Sequence, residues 1–291
     1  MADDLGNQVP KQYVEESVRT ALAEDVGAGD LTADLVPEDR QAHAVVIARQ
    51  AAVVCGQAWF DEVFRQLDES ITVDWRKNDG DSISANEIIC EVHGPARAVL
   101  TGERTALNFL QLLASTATMA KAFVDAVAGT DAVILDTRKT LPGLRLAQKY
   151  AVTVGGARNH RIGLYDGILI KENHIAAAGS IGAAVSAAGK QANVLVEVEV
   201  ETLEQMKAAL TSGAIRLLLD NFSVSQLLEA VTLRDKLAPD IELEASGGIH
   251  LGNIAAIANT GVNYISIGSL TKDVQATDLS MQIRSVEKNG A

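Results

Sequence analysis

From Ala132 onward the chain repeats one pattern six times, a short apolar run followed by an Ala- and Leu-rich amphipathic stretch. The runs are AVILD (132–136), GILIK (167–171), NVLVEVEV (193–200), IRLLLD (215–220), IELEAS (241–246) and NYISIGS (263–269). Stretches such as TLEQMKAAL and VSQLLEAVTLRDKL lie between them. Alternation at roughly 20–35 residues marks successive strand–helix units and a parallel sheet. Six strands make most of an α/β barrel but not the full eight. The run YAVTVG (150–155) is a candidate for another strand, which leaves the count open.

Polar residues gather at one end of these runs. Asp136 with Arg138, Lys171, Glu199, Asp220, Ser246 and Gly268 each close an apolar run at its C-terminal end. In a parallel barrel those ends converge on one mouth, where such folds do their chemistry. A charged residue that merely ends a strand explains any one of them but explains the set poorly.

Before Ala132 the order is mixed. KQYVEESVRTALAED (11–25) spaces Tyr13, Val14, Val18 and Ala21/Leu22 as a helix, and a loop follows through Gly27, Gly29 and Pro37. HAVVIARQAAVVCG (43–56) reads as a strand stopped by Gly56, and QAWFDEVFRQLD (57–68) as an amphipathic helix. SITVDWRK and NEIICEVHGPA read as strands with the turn DGD between them. A long helix is predicted over 101–127, with Thr101, Gly102 and Glu103 at its start. This half reads as an α+β layer domain, and the long helix bridges into the second regime.

Length and composition bound the rest. The 291 residues suffice for one large or two ordinary domains. Hydrophobic residues make up 47% and aromatics only 4%, so Ala, Val, Ile and Leu build the core, as suits parallel strands covered by helices. A formal net charge of -13 argues against nucleic-acid or membrane-surface binding. No apolar run approaches the roughly 18 residues that span a bilayer. MADDLGNQVP lacks the hydrophobic segment of a secretory signal. Cys55 and Cys90 are expected as buried thiols in a reducing cytoplasm. His43, His93, His160, His174 and His250 show no zinc-ligand spacing, so no protein metal site is expected.

One stretch of this acidic chain is basic. Between Asp136 and His174 lie Arg138, Lys139, Arg145, Lys149, Arg158, His160, Arg161 and Lys171. Crowded like charge is costly unless something anionic fills it. The bases interleave with glycines and apolar residues rather than forming a Lys/Arg run, which favours a pocket for a small, multiply anionic ligand over a solvated face. Adjacent pairs, Arg138-Lys139 and His160-Arg161, suit a ligand with several carboxylates or phosphates. Glu199 and Asp220, on consecutive strands, suit the water shell of a magnesium ion, ribose hydroxyls or positive charge developing at a sugar carbon. Glu197, Glu199 and Glu201 share one parity, so some of the three are expected to be pairing partners only. SGGI (246–249) and IGSL (267–270) each lead toward a helix and suit a phosphate.

These residues resemble one family, the quinolinate phosphoribosyltransferases. The resemblance spans EDVGAGDLT, HGPARAVLTGERTALNFLQ, DTRKTLPGLRLAQKYAV, GGARNHRIGLYDGILIKENHI, VEVEVE, LLLDNF, EASGGI and ISIGSLT. It implies transfer of phosphoribosyl from phosphoribosyl pyrophosphate (PRPP) to quinolinate with magnesium, giving nicotinate mononucleotide, pyrophosphate and carbon dioxide. It implies an α/β fold of the type II phosphoribosyltransferase kind. An N-terminal α/β sandwich (1–115) would receive the returning tail (275–291), and an open or irregular α/β barrel would span 116–274. It implies a cytoplasmic homodimer or larger assembly in which Arg104 enters the neighbouring site. Thr137, Arg138, Lys139, His160, Arg161 and Lys171 match substrate-binding positions, Glu199 and Asp220 the acids, and Ser246, Gly247, Gly248 and Gly268 the phosphate loops. Lys139, Lys171, Glu199 and Asp220 would carry the chemistry. Ser115, Ala157 and Glu172 depart from the family pattern without removing a charge. A phosphoribosyltransferase acting on another acid, and a non-catalytic barrel that binds a phosphorylated metabolite, are the alternatives.

Overall fold

A computed structural model describes residues 9–190 and 194–288; residues 1–8 of the acidic start and Asn193 of the third apolar run lie outside them. The elements in chain order are α1 (Lys11–Val26), β1 (Arg40–Ala48), β2 (Ala52–Val53), α2 (Gln57–Leu67), β3 (Thr72–Trp75), β4 (Ser82–Ile83), β5 (Ile88–Pro95) and α3 (Ala96–Ala126). Then come β6 (Val133–Leu135), α4 (Arg145–Val154), β7 (Gly167–Ile170), α5 (Glu172–Ala178), α6 (Ile181–Ala188), β8 (Leu195–Val200) and α7 (Leu203–Leu210). The last are β9 (Arg216–Asp220), α8 (Val224–Leu237), β10 (Glu242–Ser246), α9 (Ile254–Ala258), β11 (Tyr264–Ser266), α10 (Ser269–Lys272) and β12 (Leu279–Lys288).

Two compact units result. The N-terminal unit takes the described residues of Gly6–Met119, Pro142–Gly155 and Asp273–Ala291. The barrel unit takes Ala120–Leu141 and Gly156–Lys272. The grouping breaks inside α3 rather than at 115/116, and it places 142–155 with the N-terminal unit, where the sequence reading had an unbroken 116–274.

In the N-terminal unit an antiparallel sheet runs β12-β1-β5-β3. Ala42, Ala44, Val46 and Ala48 of β1 enter one core with Val18 of α1, Trp59, Phe60 and Phe64 of α2, and Leu107 and Leu110 of α3. Phe60 meets Phe64 and Trp75 edge-on, with ring centroids 5.2 and 5.3 Å away. The opposite face of the sheet carries the alternate residues, His43 among them. The expected strand over 43–56 is two strands, because the chain leaves β1 after Ala48 and β2 pairs with β4 in a separate ladder.

Two helix boundaries correct the reading from sequence. α3 begins at Ala96, directly after Pro95, so Thr101 is inside it and donates its hydroxyl to Asp30 at 2.9 Å. Gly102 is there for packing: a Cβ would lie 2.7 Å from Cε1 of Phe64. YAVTVG is not a strand but the end of α4, which buries Ala147 and Ala151 one turn apart in the N-terminal core. Tyr150 adds a hydrogen bond to Asp79 at 2.7 Å.

The barrel unit holds six parallel strands in the order β6-β11-β10-β9-β8-β7. β6 and β7 are the two ends of the order, so the barrel is open. Arg158 adds a single parallel bridge beside Leu135. Val196, Val198 and Val200, Leu217 and Leu219, Leu243 and Ala245, and Ile265 are all buried. The residues between them in β8, β9, β10 and β11 are polar except Leu218, and they meet inside the barrel. Ser180, Thr202 and Ser223 cap α6, α7 and α8 through their side chains, the last two ending strand-to-helix loops.

Candidate active site

The inward residues form layers set by strand register. Lowest lies Arg216, which pairs with Glu242 through Nε at 3.0 Å and Nη2 at 2.7 Å and stacks over the Tyr264 ring at 3.8 Å. Glu197 of β8, opposite Arg216 in register, and Glu244 of β10, opposite Leu218, approach His160. Glu197 is 1% exposed and Glu244 0%. His160 Nδ1 accepts the Arg161 N–H at 2.7 Å, so the ring proton is on Nε2, which donates to Glu197 at 3.0 Å. Glu244 Oε1 lies 3.6 Å from the same nitrogen. Burial and the neighbouring Glu197 push Glu244 up to about 8, and burial pushes Glu197 up to about 6. Two buried carboxyls this close hold a proton between them near neutrality.

The top layer opens into a cavity of about 450 Å³, a size usual for small-ligand sites. Thr137, Arg138 and Lys139 follow β6; Lys171 follows β7; Glu199, Asp220 and Ser246 close β8, β9 and β10; His160 and Arg161 come from the loop before β7. Leu169, Leu218, Glu244 and Ser266 complete the wall. Lys171 Nζ pairs with Glu199 at 2.5 Å. Arg161 donates to the Gly167 carbonyl at 3.1 Å. Burial and then the nearby Arg138 hold its guanidinium below the ordinary arginine range. Two guanidiniums crowded in a half-buried wall favour an anion between them.

Local sequence sets this wall. Asp136, fully buried, does not line the cavity; its carboxylate accepts from the Asn159 side chain and the His160 N–H, both at 2.8 Å, and so holds the loop that presents His160 and Arg161. Asp166 receives the N–H groups of Ile162 and Gly163 at 2.6 and 2.8 Å and closes that loop from the far side. Gly268 leaves room for Lys139, whose Cδ a Cβ there would meet at 3.1 Å. Gly247 has φ +94, and a Cβ on it would lie 2.2 Å from the Asn221 side-chain oxygen. Gly248 follows at φ +59, so the turn after β10 needs both glycines. Asn221 donates to Asp220 at 2.8 Å from its side chain and to the Ser246 carbonyl at 2.8 Å from its backbone, tying those two wall residues together.

Every lining residue belongs to the barrel unit. Of the expected bases, Arg145 and Lys149 ride on α4 of the N-terminal unit, and Arg158 is exposed on its bridge. Arg104 is exposed on α3 in the N-terminal unit. The sequence reading does not single out Glu244 or Ser266, and it leaves Glu197 among three acids of which some only pair. The signal for Glu197 was its shared parity with Glu199.

Comparison with known proteins agrees along the chain. The family model for the quinolinate phosphoribosyl transferase N-terminal domain matches residues 30–114, and that for the C-terminal domain matches residues 116–282. The probable nicotinate-nucleotide pyrophosphorylase (carboxylating) of Bacillus subtilis is 45% identical over 263 residues, 89% of this chain and 90% of its own length. The Mycobacterium leprae nicotinate-nucleotide pyrophosphorylase (carboxylating) is 44% identical over 276 residues, 92% of this chain and 96% of its own. The solved nicotinate-nucleotide pyrophosphorylase from Francisella tularensis superposes with a TM-score of 0.90 at 44% identity, covering 96% of this chain and 98% of that one.

Proposed function

The chain belongs to the quinolinate phosphoribosyl transferase family, and from that premise we propose how its own residues carry the family's reaction. The activity is transfer of phosphoribosyl from PRPP to quinolinate with loss of carbon dioxide, yielding nicotinate mononucleotide and pyrophosphate in NAD biosynthesis. The observation that carries the residue assignment is a single cavity walled by Arg138, Lys139, Arg161 and Lys171 on one arc and Glu199 and Asp220 on another.

Arg138, Lys139 and Arg161 take the two quinolinate carboxylates, with Thr137 as a neutral donor beside them, and His160, held on Glu197, fixes the loop that carries Arg161. Ser246, Gly247, Gly248 and Gly268 take the 5′-phosphate of PRPP on their backbone N–H groups. The pyridine nitrogen attacks the sugar carbon as the bond to pyrophosphate breaks. Cationic character grows at that carbon, and Glu199 and Asp220 offset it. Lys171 neutralises Glu199 before substrate arrives and is freed to meet an incoming anion. The nitrogen, now positively charged, draws the electron pair of the adjacent carbon–carboxylate bond; carbon dioxide leaves and a solvent proton takes its place. No side chain forms a covalent bond, so positioning and charge supply the rate.

Glu199 and Asp220 also fit magnesium, a hard cation that takes carboxylate oxygens and keeps several waters. Bound with PRPP, it would neutralise the departing pyrophosphate. Arg104, exposed on α3, is assigned to the pocket of a second copy in a homodimer or larger assembly. Mixing Arg104→Ala with Lys171→Ala subunits tests this: exchanged heterodimers regain activity if sites are shared, and none if each chain is self-sufficient. Buried free Cys55 and Cys90 suit a reducing cytoplasm, and no described helix is long and apolar enough to cross a membrane. The reaction itself is tested by carbon dioxide released per pyrophosphate. One to one is expected; a ratio near zero means transfer to another acid, and binding without turnover means a sensor.

A further inference from the structure

The outer face of the four-stranded sheet carries a second cluster of ligand-type side chains. β1 and β5 pair antiparallel with His43 opposite His93 and Val45 opposite Glu91. β3 sets Asp74 opposite Glu91, and β12 sets Ser285 opposite His43. In a sheet, residues two apart on one strand and their cross-strand partners share a face. His43, Glu91 and His93 thus form a compact triangle, fixed by register and not by any sequence motif.

The triangle has the geometry of a metal site. His43 Nε2 is 2.7 Å and His93 Nε2 4.0 Å from the same oxygen, Oε2 of Glu91. One ligand atom from each residue lies within 4.8 Å of the others. Ligands on a tetrahedral zinc ion sit about 3.4 Å apart, given bonds of about 2.0–2.1 Å, so rotation of half-buried side chains completes the approach. The two imidazoles stack at 4.3 Å with planes 12° apart, and both Nε2 atoms lie within 4.0 Å of Glu91 Oε2. Arg76 holds the other oxygen, Oε1 of Glu91, and so aims Oε2 at the histidines. The open side is a cavity of about 330 Å³ bordered by Ser285 and Glu287, and Asp74 lies 3.7 Å from His93. Three acids, Glu91, Asp74 and Glu287, against one Arg76 make a cation welcome there.

We propose that His43, Glu91 and His93 bind one divalent transition-metal ion, zinc by ligand type, on the outer face of the N-terminal sheet, with a fourth position open to solvent. Two imidazoles and a carboxylate suit zinc and are poor partners for magnesium, which prefers oxygen ligands alone. The ion would clamp β1 to β5 and stabilise the N-terminal unit in proportion to its occupancy.

The test is calorimetric titration of chelator-treated, dialysed full-length protein with zinc chloride in the presence of excess magnesium. One equivalent per chain is expected, with a zinc-dependent rise in unfolding temperature. His43→Asn and His93→Asn should each weaken binding at least tenfold and abolish that rise, while circular dichroism confirms that both variants fold. His160→Asn, which removes the histidine of the barrel cluster, should bind zinc as the wild type does. Cobalt substitution should give the visible bands of a tetrahedral ion, lost in both sheet variants. Absence of binding, full affinity retained in either sheet variant, or loss of the equivalent in His160→Asn overturns the proposal.

Discussion

His160 with Glu197 and Glu244 in the barrel, and His43 and His93 with Glu91 on the sheet, are built from the same side chains and behave oppositely. In the barrel both carboxyls are removed from water, and burial raises them until a proton is retained. On the sheet the hydrogen bond from Arg76 holds Glu91 below the usual carboxylate range, and the group stays ionised. Burial thus makes one cluster a proton-holding group fixed around His160. Arg76 keeps the other charged, as the proposed ion site requires. Residue type alone does not say which outcome a His/Glu cluster will have; depth does.

The widest separation between the two regions should appear in turnover. Arg161→Ala is expected to lower kcat/KM for quinolinate by about 10³-fold, the scale of losing a preorganised charged contact in a cavity. His43→Asn should leave kcat/KM unchanged in zinc-free buffer that contains magnesium. Steady-state kinetics on both variants would break the assignment if the order were reversed.

Stability should separate them next. Arg216→Ala leaves Glu197, Glu242 and Glu244 without their cation inside the barrel and should cost about 3–5 kcal/mol in urea unfolding. Arg76→Ala on the sheet removes an ion pair whose arginine is 63% exposed, and the unfolding midpoint should hardly move.

The pH dependence sharpens the contrast further, because the signs differ. Unfolded Glu244 loses its proton above 4.5, whereas the folded protein keeps it to about 8. The folded state binds more protons across that window, so this group's contribution falls as pH rises through it. Glu197 acts in the same sense between 4.5 and about 6. Glu91 is shifted down from 4.5, so its contribution is present above 4.5 and is lost as pH falls through the lowered value. Glu244→Gln, which mimics the protonated form, should flatten the decline between pH 5 and 8. Glu91→Gln should flatten only the acid limb. Urea midpoints across pH would show both; an unchanged neutral slope in Glu244→Gln would mean that the buried carboxyl is ionised after all.

A smaller effect tests the pocket's rim. Gly247→Ala should raise KM for PRPP about tenfold with little loss of fold, since the strain falls on one turn at φ +94 against Asn221. An unchanged KM would remove that turn from the phosphate site.

Much of this was legible in the chain. Apolar runs ending in Lys171, Glu199, Asp220 and Ser246 pointed to a barrel mouth, and the cavity is lined by all four. YAVTVG misled because an aromatic followed by five β-branched and small residues matches a strand until Leu144 to Gly155 is read as one helical period. Thr101 looked like a helix start because a Thr-Gly pair usually interrupts a helix; close packing on Phe64 makes the glycine necessary instead. His43 and His93 stand fifty residues apart, and nothing local links them.

The sequence by itself determined the strand–helix alternation, the two regimes of the chain and the charged groups at the barrel mouth, because periodicity and residue chemistry are local properties. Tertiary structure alone decided which parity of each strand faces the barrel interior and that His160 meets both Glu197 and Glu244. It also decided that β1 and β5 set two histidines side by side. Those outcomes depend on strand register and on depth from water, and both arise only when distant segments pack together.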